Sequence, residues 1–132
     1  MSSYNKYRNR KTEIDGILFD SKSEARRYSE LKLTEKCGII KDLKLQVAFE
    51  IVPNQYISTF EIKKNGNIKE NKKLDERKVE YIADFVYYDN ELKINVVEDV
   101  KGMKTKEYII KRKLFKYLYS KEYSFKEIVW KV

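Results

Sequence analysis

Two runs in the second half of the chain, Tyr81–Tyr88 and Leu92–Lys101, carry apolar side chains on both faces of a two-residue alternation. Only interior strands of a sheet covered on both sides satisfy such a pattern, so the fold is required to place helices above and below them. Asp89-Asn90-Glu91 joins the runs, which read as a hairpin. The sequence supplies two helices. Ser21-Lys22-Ser23-Glu24 has the form of a capping box and Gly38 follows Cys37 as a stop, predicting a helix over 22–37. Within it Glu24, Tyr28 and Leu31 fall at i, i+4 and i+7 with Ala25 beside them, so a carboxylate begins the apolar stripe. Thr105 caps a second helix over 106–119, with Ile110, Leu114, Tyr117 and Leu118 as its apolar face. Leu43, Leu45, Val47, Phe49 and Ile51 alternate with polar residues as a half-buried strand ending at Pro53. Tyr56 to Lys63 and Phe125 to Val132 read as further strands, the latter with Ile128 and Trp130 on one side. The expected fold class is α+β, or mixed α/β, with a central mixed sheet of four or more strands flanked by helices.

At 132 residues the chain is expected to form one folding unit. Residues 1–13 form an expected basic arm and 14–132 a single domain. Asn65-Gly66 marks a hairpin within a polar stretch, 63–78, which carries seven basic residues against Glu70, Asp75 and Glu76 and reads as a basic hairpin arm. No stretch approaches the length of a membrane span and the N-terminus has no apolar signal-type core, so the expected compartment is the cytoplasm.

Histidine is absent and Cys37 is the single cysteine, which excludes a Ser-His-Asp triad, a Cys-His dyad and any His/Cys zinc site. Chemistry is left to carboxylates, lysines, tyrosines and hydroxyls, and carboxylates suit hard cations such as Mg²⁺. In Asn95-Val96-Val97-Glu98-Asp99-Val100-Lys101, Asp99 and Lys101 share a face and Glu98 takes the other. Glu98 therefore reads as structural. Asp84, on the preceding strand, is expected on the face of Ile82 and Val86. If the strands pair, Asp84 and Asp99 converge at a sheet edge within reach of one cation. That arrangement suits phosphodiester hydrolysis, with Lys101 positioning water or stabilising negative charge, and Glu24 as a further carboxylate. A capping role alone would also account for Glu24.

The net charge of +8 is concentrated in two places. Residues 1–12 carry +4 through Lys6, Arg8, Arg10 and Lys11, and residues 101–117 carry +6, leaving −2 for the remainder. Two basic runs around an acidic middle point to a polyanion, nucleic acid before membrane. Lys104, Lys106, Lys111, Lys113 and Lys116 are the expected phosphate contacts of the second run, joined by the terminal arm, where Tyr4 and Tyr7 can stack on bases, and by the 63–78 arm.

Asp84 followed by Asp99-Val100-Lys101 resembles the D…(D/E)-x-K signature of the PD-(D/E)XK nuclease superfamily. The surrounding segments FDSKSEARRYSEL, DLKLQVAFEI, YIADFVYY, VVEDVKG and YIIKRKLF, in that order, resemble a small phage-encoded family of unknown function placed in that superfamily. The order is also similar to TnsA-type endonucleases and Holliday-junction resolvases. The resemblance implies a restriction-endonuclease-like core with a β-hairpin insertion. It also implies Mg²⁺-dependent DNA endonuclease activity, with Mn²⁺ as a substitute, in recombination, repair or processing, with branched DNA a candidate substrate. By the same resemblance Glu24, Asp84 and Asp99 are metal ligands, Lys101 is catalytic and Gln46 is accessory. The position before Asp84 holds Ala83 where the superfamily pattern has proline. A two-fold dimer would suit cutting of two strands. The rival expectation is a non-catalytic nucleic-acid-binding protein that keeps the fold.

Overall fold

The structure is a computed structural model describing residues 11–129, so Lys6, Arg8, Arg10, Tyr4, Tyr7 and Trp130 lie outside the described residues. The first element among the described residues is a short hairpin of β1 (Thr12–Ile14) and β2 (Ile17–Phe19), turning at Asp15-Gly16, both at positive φ. Strand β1 thus takes in Thr12 and Glu13, which lie inside the stretch expected to be an arm. Helix α1 (Lys22–Lys36) follows. Ser21 Oγ accepts from Glu24 N–H at 3.1 Å, and after Cys37 the chain leaves the helix through Gly38 at φ 78°. Losing that cap in Ser21→Ala is expected to cost about 1 kcal/mol, read as a lowered urea midpoint. An unchanged midpoint would show that the helix is held by packing alone.

The strands β3 (Ile40–Val52), β4 (Gln55–Ile62), β5 (Ile68–Glu76), β6 (Val79–Asp89) and β7 (Ile94–Lys101) come next, then α2 (Lys106–Tyr119) and β8 (Tyr123–Val129). Four of them make one mixed sheet in the order β3-β6-β7-β8, antiparallel except for β7 with β8, which α2 connects. The expected interior strands, β6 and β7, are the two central ones. The fold is α+β, with a central mixed sheet between helices. Among the described residues no helix is long and apolar enough to cross a membrane.

Val96 and Val97, neighbours on β7, pack into different cores, so the sheet is buried on both faces. On one face α1 contributes Ala25, Tyr28 and Leu31 against Phe85 and Tyr87; on the other, α2 contributes Tyr108 and Phe115 against Phe49, Tyr81 and Val97. The buried stripe of α1 is the expected one, Glu24, Ala25, Tyr28 and Leu31. That of α2 is not. Ile110, Tyr117 and Leu118 are exposed, and the helix buries Tyr108 and Phe115, with Ile109, Leu114 and Tyr119 beside them. Apolar residues nearly encircle this helix, and the ring packing of Phe115 on Phe49, 5.0 Å between centroids, fixes its rotation.

The single-sided alternation expected for β3 is also corrected. Leu43 and Leu45 pack in the α1 core whereas Val47, Phe49 and Ile51 belong to the α2 core. The switch occurs at Gln46, whose φ of 52° breaks the pleat. On β6, Ala83 and Phe85 likewise enter opposite cores, so alternation breaks at Asp84 and the face expected to join Ile82, Asp84 and Val86 does not exist. Leu45 pairs with Phe85 and Val47 with Ala83, which sets the two breaks opposite each other.

Candidate functional site

Both irregularities serve one place. Pairing of β6 with β7 runs from Asp89↔Ile94 to Phe85↔Glu98 and stops there. The next residue on each strand is Asp84 and Asp99, so the two carboxylates meet where the central strands part, in mid-sheet and not at the expected sheet edge. Asp84 Oδ2 accepts from the backbone N–H of Val100 at 2.8 Å, replacing a ladder bond between the strands. Gln46, turned out of the pleat by its positive φ, donates through Nε2 to Glu24 Oε1 at 2.9 Å and to Asp84 Oδ1 at 3.3 Å. The capping serine therefore uses only the Glu24 backbone, and the Glu24 carboxylate reaches the sheet.

Asp99 is 1% exposed. Its Oδ2 accepts from Tyr81 Oη at 2.6 Å. Its Oδ1 stands 3.2 Å from Lys101 Nζ as an ion pair and has no hydrogen-bond partner. Lys101 Nζ also lies 4.5 Å from the centroid of the Tyr108 ring, so the ammonium is held between a carboxylate and an aromatic face. Glu24, Gln46, Asp84, Asp99 and Lys101 are thus gathered in one linked group. Glu98 faces the other way, into a bidentate pair with Arg27.

The electrostatics follow from crowding acids in a dry place. Burial first, then the charges of Asp84 and Asp20, push Glu24 up to about 7, against the hydrogen bond from Gln46 and the charge of Lys101. Burial and the adjacent Asp84 carboxylate likewise raise Asp99 to about 7, opposed by Tyr81 and Lys101. Burial and the bond to Asp99 move the Tyr81 phenol upward, so it remains a donor.

Among the described residues no three acidic, histidine or cysteine side chains stand close enough to enclose a metal ion. The donors nevertheless suit a hard cation in kind. All are oxygens, Asp99 Oδ1 is a buried acceptor without a hydrogen bond, and Asp84 Oδ1 has only the long bond from Gln46.

A family described as "Protein of unknown function (DUF1064)" matches residues 4–131. The chain belongs to the DUF1064 family. No curated protein and no solved structure matches this DUF1064 chain.

The basic residues expected to grip phosphate have different fates in the DUF1064 chain. Lys104 Nζ is 2.7 Å from Glu127 Oε1, Lys111 pairs with Glu107 one helical turn back, and Lys116 Nζ lies 5.0 Å from the Phe125 ring centroid. Lys11, Lys106 and Lys113 are exposed.

Sequence reasoning missed Tyr81, Tyr108 and Glu127 as parts of this region. Glu127 lies opposite Asp99 in the β7–β8 register and accepts from Tyr108 Oη at 2.6 Å and Arg112 Nη1 at 2.8 Å. It anchors α2, and with it the ring beneath Lys101. The alternation of Phe125, Glu127 and Val129 was the available signal, since it places Glu127 on the face of Phe125. Burial raises Glu127, but the hydrogen bonds from Lys104, Tyr108 and Arg112 outweigh it and bring the carboxyl down to about 2. A depressed carboxyl stabilises the fold above its unfolded value of about 4.3 and loses that contribution as pH falls through the folded value. Glu127→Gln should therefore lower the melting temperature at pH 7, with the deficit shrinking toward pH 2. A deficit of equal size at both pH values would show that the loss is one of packing.

Proposed function

We propose that this DUF1064 chain is a metal-dependent endonuclease of the PD-(D/E)XK type. On this reading it hydrolyses DNA phosphodiester bonds in the cytoplasm of the host cell, during recombination, repair or processing. The observation that carries the reading is the meeting of Asp84 and Asp99 at the parting of β6 and β7, with Lys101 Nζ 3.2 Å from Asp99 Oδ1. Asp84 and Asp99 would hold Mg²⁺, or Mn²⁺ in its place, and Glu24 would have to come closer than it stands here to serve as a third ligand. When bound, the ion supplies an acidified water and neutralises charge on the phosphate.

The residues of the chain do the positioning. Tyr81 fixes Asp99 through Oδ2 and leaves Oδ1 available. Gln46 sets Glu24 and Asp84 relative to each other from a single amide. Lys101, confined by Asp99 and the Tyr108 ring, brings a fixed positive charge to the place where a scissile phosphate would lie. Lys106 and Lys113, exposed on α2, are the candidates for backbone contact, and each phosphate so neutralised adds about one unit to the salt dependence of binding.

The test is incubation with branched, duplex and single-stranded DNA in Mg²⁺, in Mn²⁺ and in chelator. Cutting that requires a metal supports the enzyme. Salt-sensitive binding without cutting of any substrate in either metal would establish the non-catalytic nucleic-acid-binding reading instead.

A further inference from the structure

Strands β4 and β5 pair only with each other, and every residue of both is exposed except the partly buried Asn71. They continue the β3–β6 hairpin beyond Val52↔Val79, with Asn54 Oδ1 accepting from Lys78 N–H at 2.6 Å across the base. A two-stranded ribbon has little stability of its own in water and is expected to be covered. The register sorts its side chains into unlike faces. One carries the successive pairs Tyr56/Leu74, Ser58/Lys72, Phe60/Glu70 and Ile62/Ile68. Phe60 is 69% exposed, Ile62 78% and Ile68 69%, so this face leaves large apolar side chains in water, as interaction surfaces do.

Charge argues for a protein occupant. The arm read as basic over 63–78 is, as the ribbon 55–76, nearly neutral, with five lysines against four acids in a chain of net +8. The order of pairs on the face identifies which protein. Read along the ribbon it is apolar, basic, acidic, apolar. A two-fold axis crossing the face between Ser58/Lys72 and Phe60/Glu70 sets Ile62/Ile68 on the partner's Tyr56/Leu74. The same axis brings Glu70 onto the partner's Lys72, twice. The face is complementary to itself, as a closed dimer interface must be.

We propose that this ribbon face is the docking surface for a second copy of the chain. The proposal is independent of the nuclease reading, and its assay contains neither metal nor DNA. Sedimentation equilibrium of the full chain is expected to give a dimer. Phe60→Ser with Ile62→Ser should weaken association about 100-fold or more, with the urea midpoint of the body unchanged because these side chains touch no core residue. Glu70→Lys and Lys72→Glu should each weaken the dimer, and the two together should restore it. A wild-type monomer, or a dimer indifferent to the apolar substitutions, overturns the proposal. So does a monomer that, in a separate binding measurement, loses DNA binding in Phe60→Ser, which would assign the ribbon to nucleic acid.

Discussion

Asp99→Asn is expected to lower metal-dependent DNA cleavage by about 10²–10³-fold or more while making the metal-free protein more stable. The two effects share one cause. Asp99 is buried beside Asp84 with one oxygen lacking a hydrogen bond, and it is held ionised near neutrality only against burial and a like charge. Its folded value of about 7 lies above the unfolded value near 3.9, so the stability linked to it is complete below the unfolded value and is lost as pH rises through about 7. Glu24, raised in the same sense, adds to the slope. In chelator the wild type should therefore melt lower at pH 8 than at pH 5.5. Asparagine has no charge to desolvate, keeps an acceptor for Tyr81 and can donate toward Asp84. It should flatten the pH dependence and raise the melting temperature at pH 8 by roughly 3–5 °C, the equivalent of about 1 kcal/mol. The same residue would lose the negative oxygen that a divalent cation requires. Cleavage within tenfold of wild type would remove Asp99 from the site. A lower melting temperature at pH 8 would show that its ion pair with Lys101 outweighs its desolvation.

The strain of burying these acids explains which parts of the site were legible in sequence. A carboxylate on a strand with apolar residues on both faces conflicts with its surroundings, and that conflict singled out Asp84 and Asp99, as the inward position singled out Glu24. The opposed faces of Glu98 and Asp99 followed from the two-residue period. What gathers the group was hidden. Leu43 to Ile51 alternates without interruption in sequence, yet the chain changes face at Gln46 because both sides of the sheet have an apolar core to offer at that point. A binary pattern cannot register a switch between two equally apolar sides, and no glycine marked the positive φ. The rotation of α2 was hidden for the same reason, by apolar residues on nearly every side. Pairings distant in sequence were beyond local reasoning as well. Lys104 looked like a phosphate contact because its acid, Glu127, lies on a strand formed only after the helix. Residues 63–78 are basic, but Arg77 and Lys78 lie beyond β5, and β4 adds Glu61 and most of the apolar stripe, so the ribbon itself is nearly neutral.

The largest loss of stability is expected behind the site, at Glu98→Ala. Glu98 is fully buried and accepts from Arg27 Nε at 2.7 Å, from Arg27 Nη2 at 2.7 Å and from Tyr87 Oη. This is the tie between α1 and the central strand β7, one turn along the helix from Glu24 and one residue from Asp99. Removing the carboxylate leaves Arg27, whose side chain is only 19% exposed, with the surface acid Glu30 as its remaining ion pair, and leaves Tyr87 without its acceptor. Breaking a buried pair from one side typically costs about 3–5 kcal/mol, a third or more of the stability of an ordinary domain. With a urea slope of about 2 kcal/mol per molar the midpoint should fall by roughly 2 M. Removing the whole pair is a different experiment. Arg27→Met with Glu98→Leu and Tyr87→Phe leaves no unpaired charge, and its stability should return to within about 1 kcal/mol of wild type. The triple variant also separates two roles for the tie. If it matches wild type in stability but cleaves DNA more slowly, Arg27 and Glu98 position Glu24 against Asp99, and a polar link was retained because it fixes orientation where apolar packing would let the helix slide. If it cleaves as well as wild type, the tie serves the fold alone. A loss below about 1 kcal/mol in Glu98→Ala would mean that water reaches Arg27 and that the pair contributes little to either.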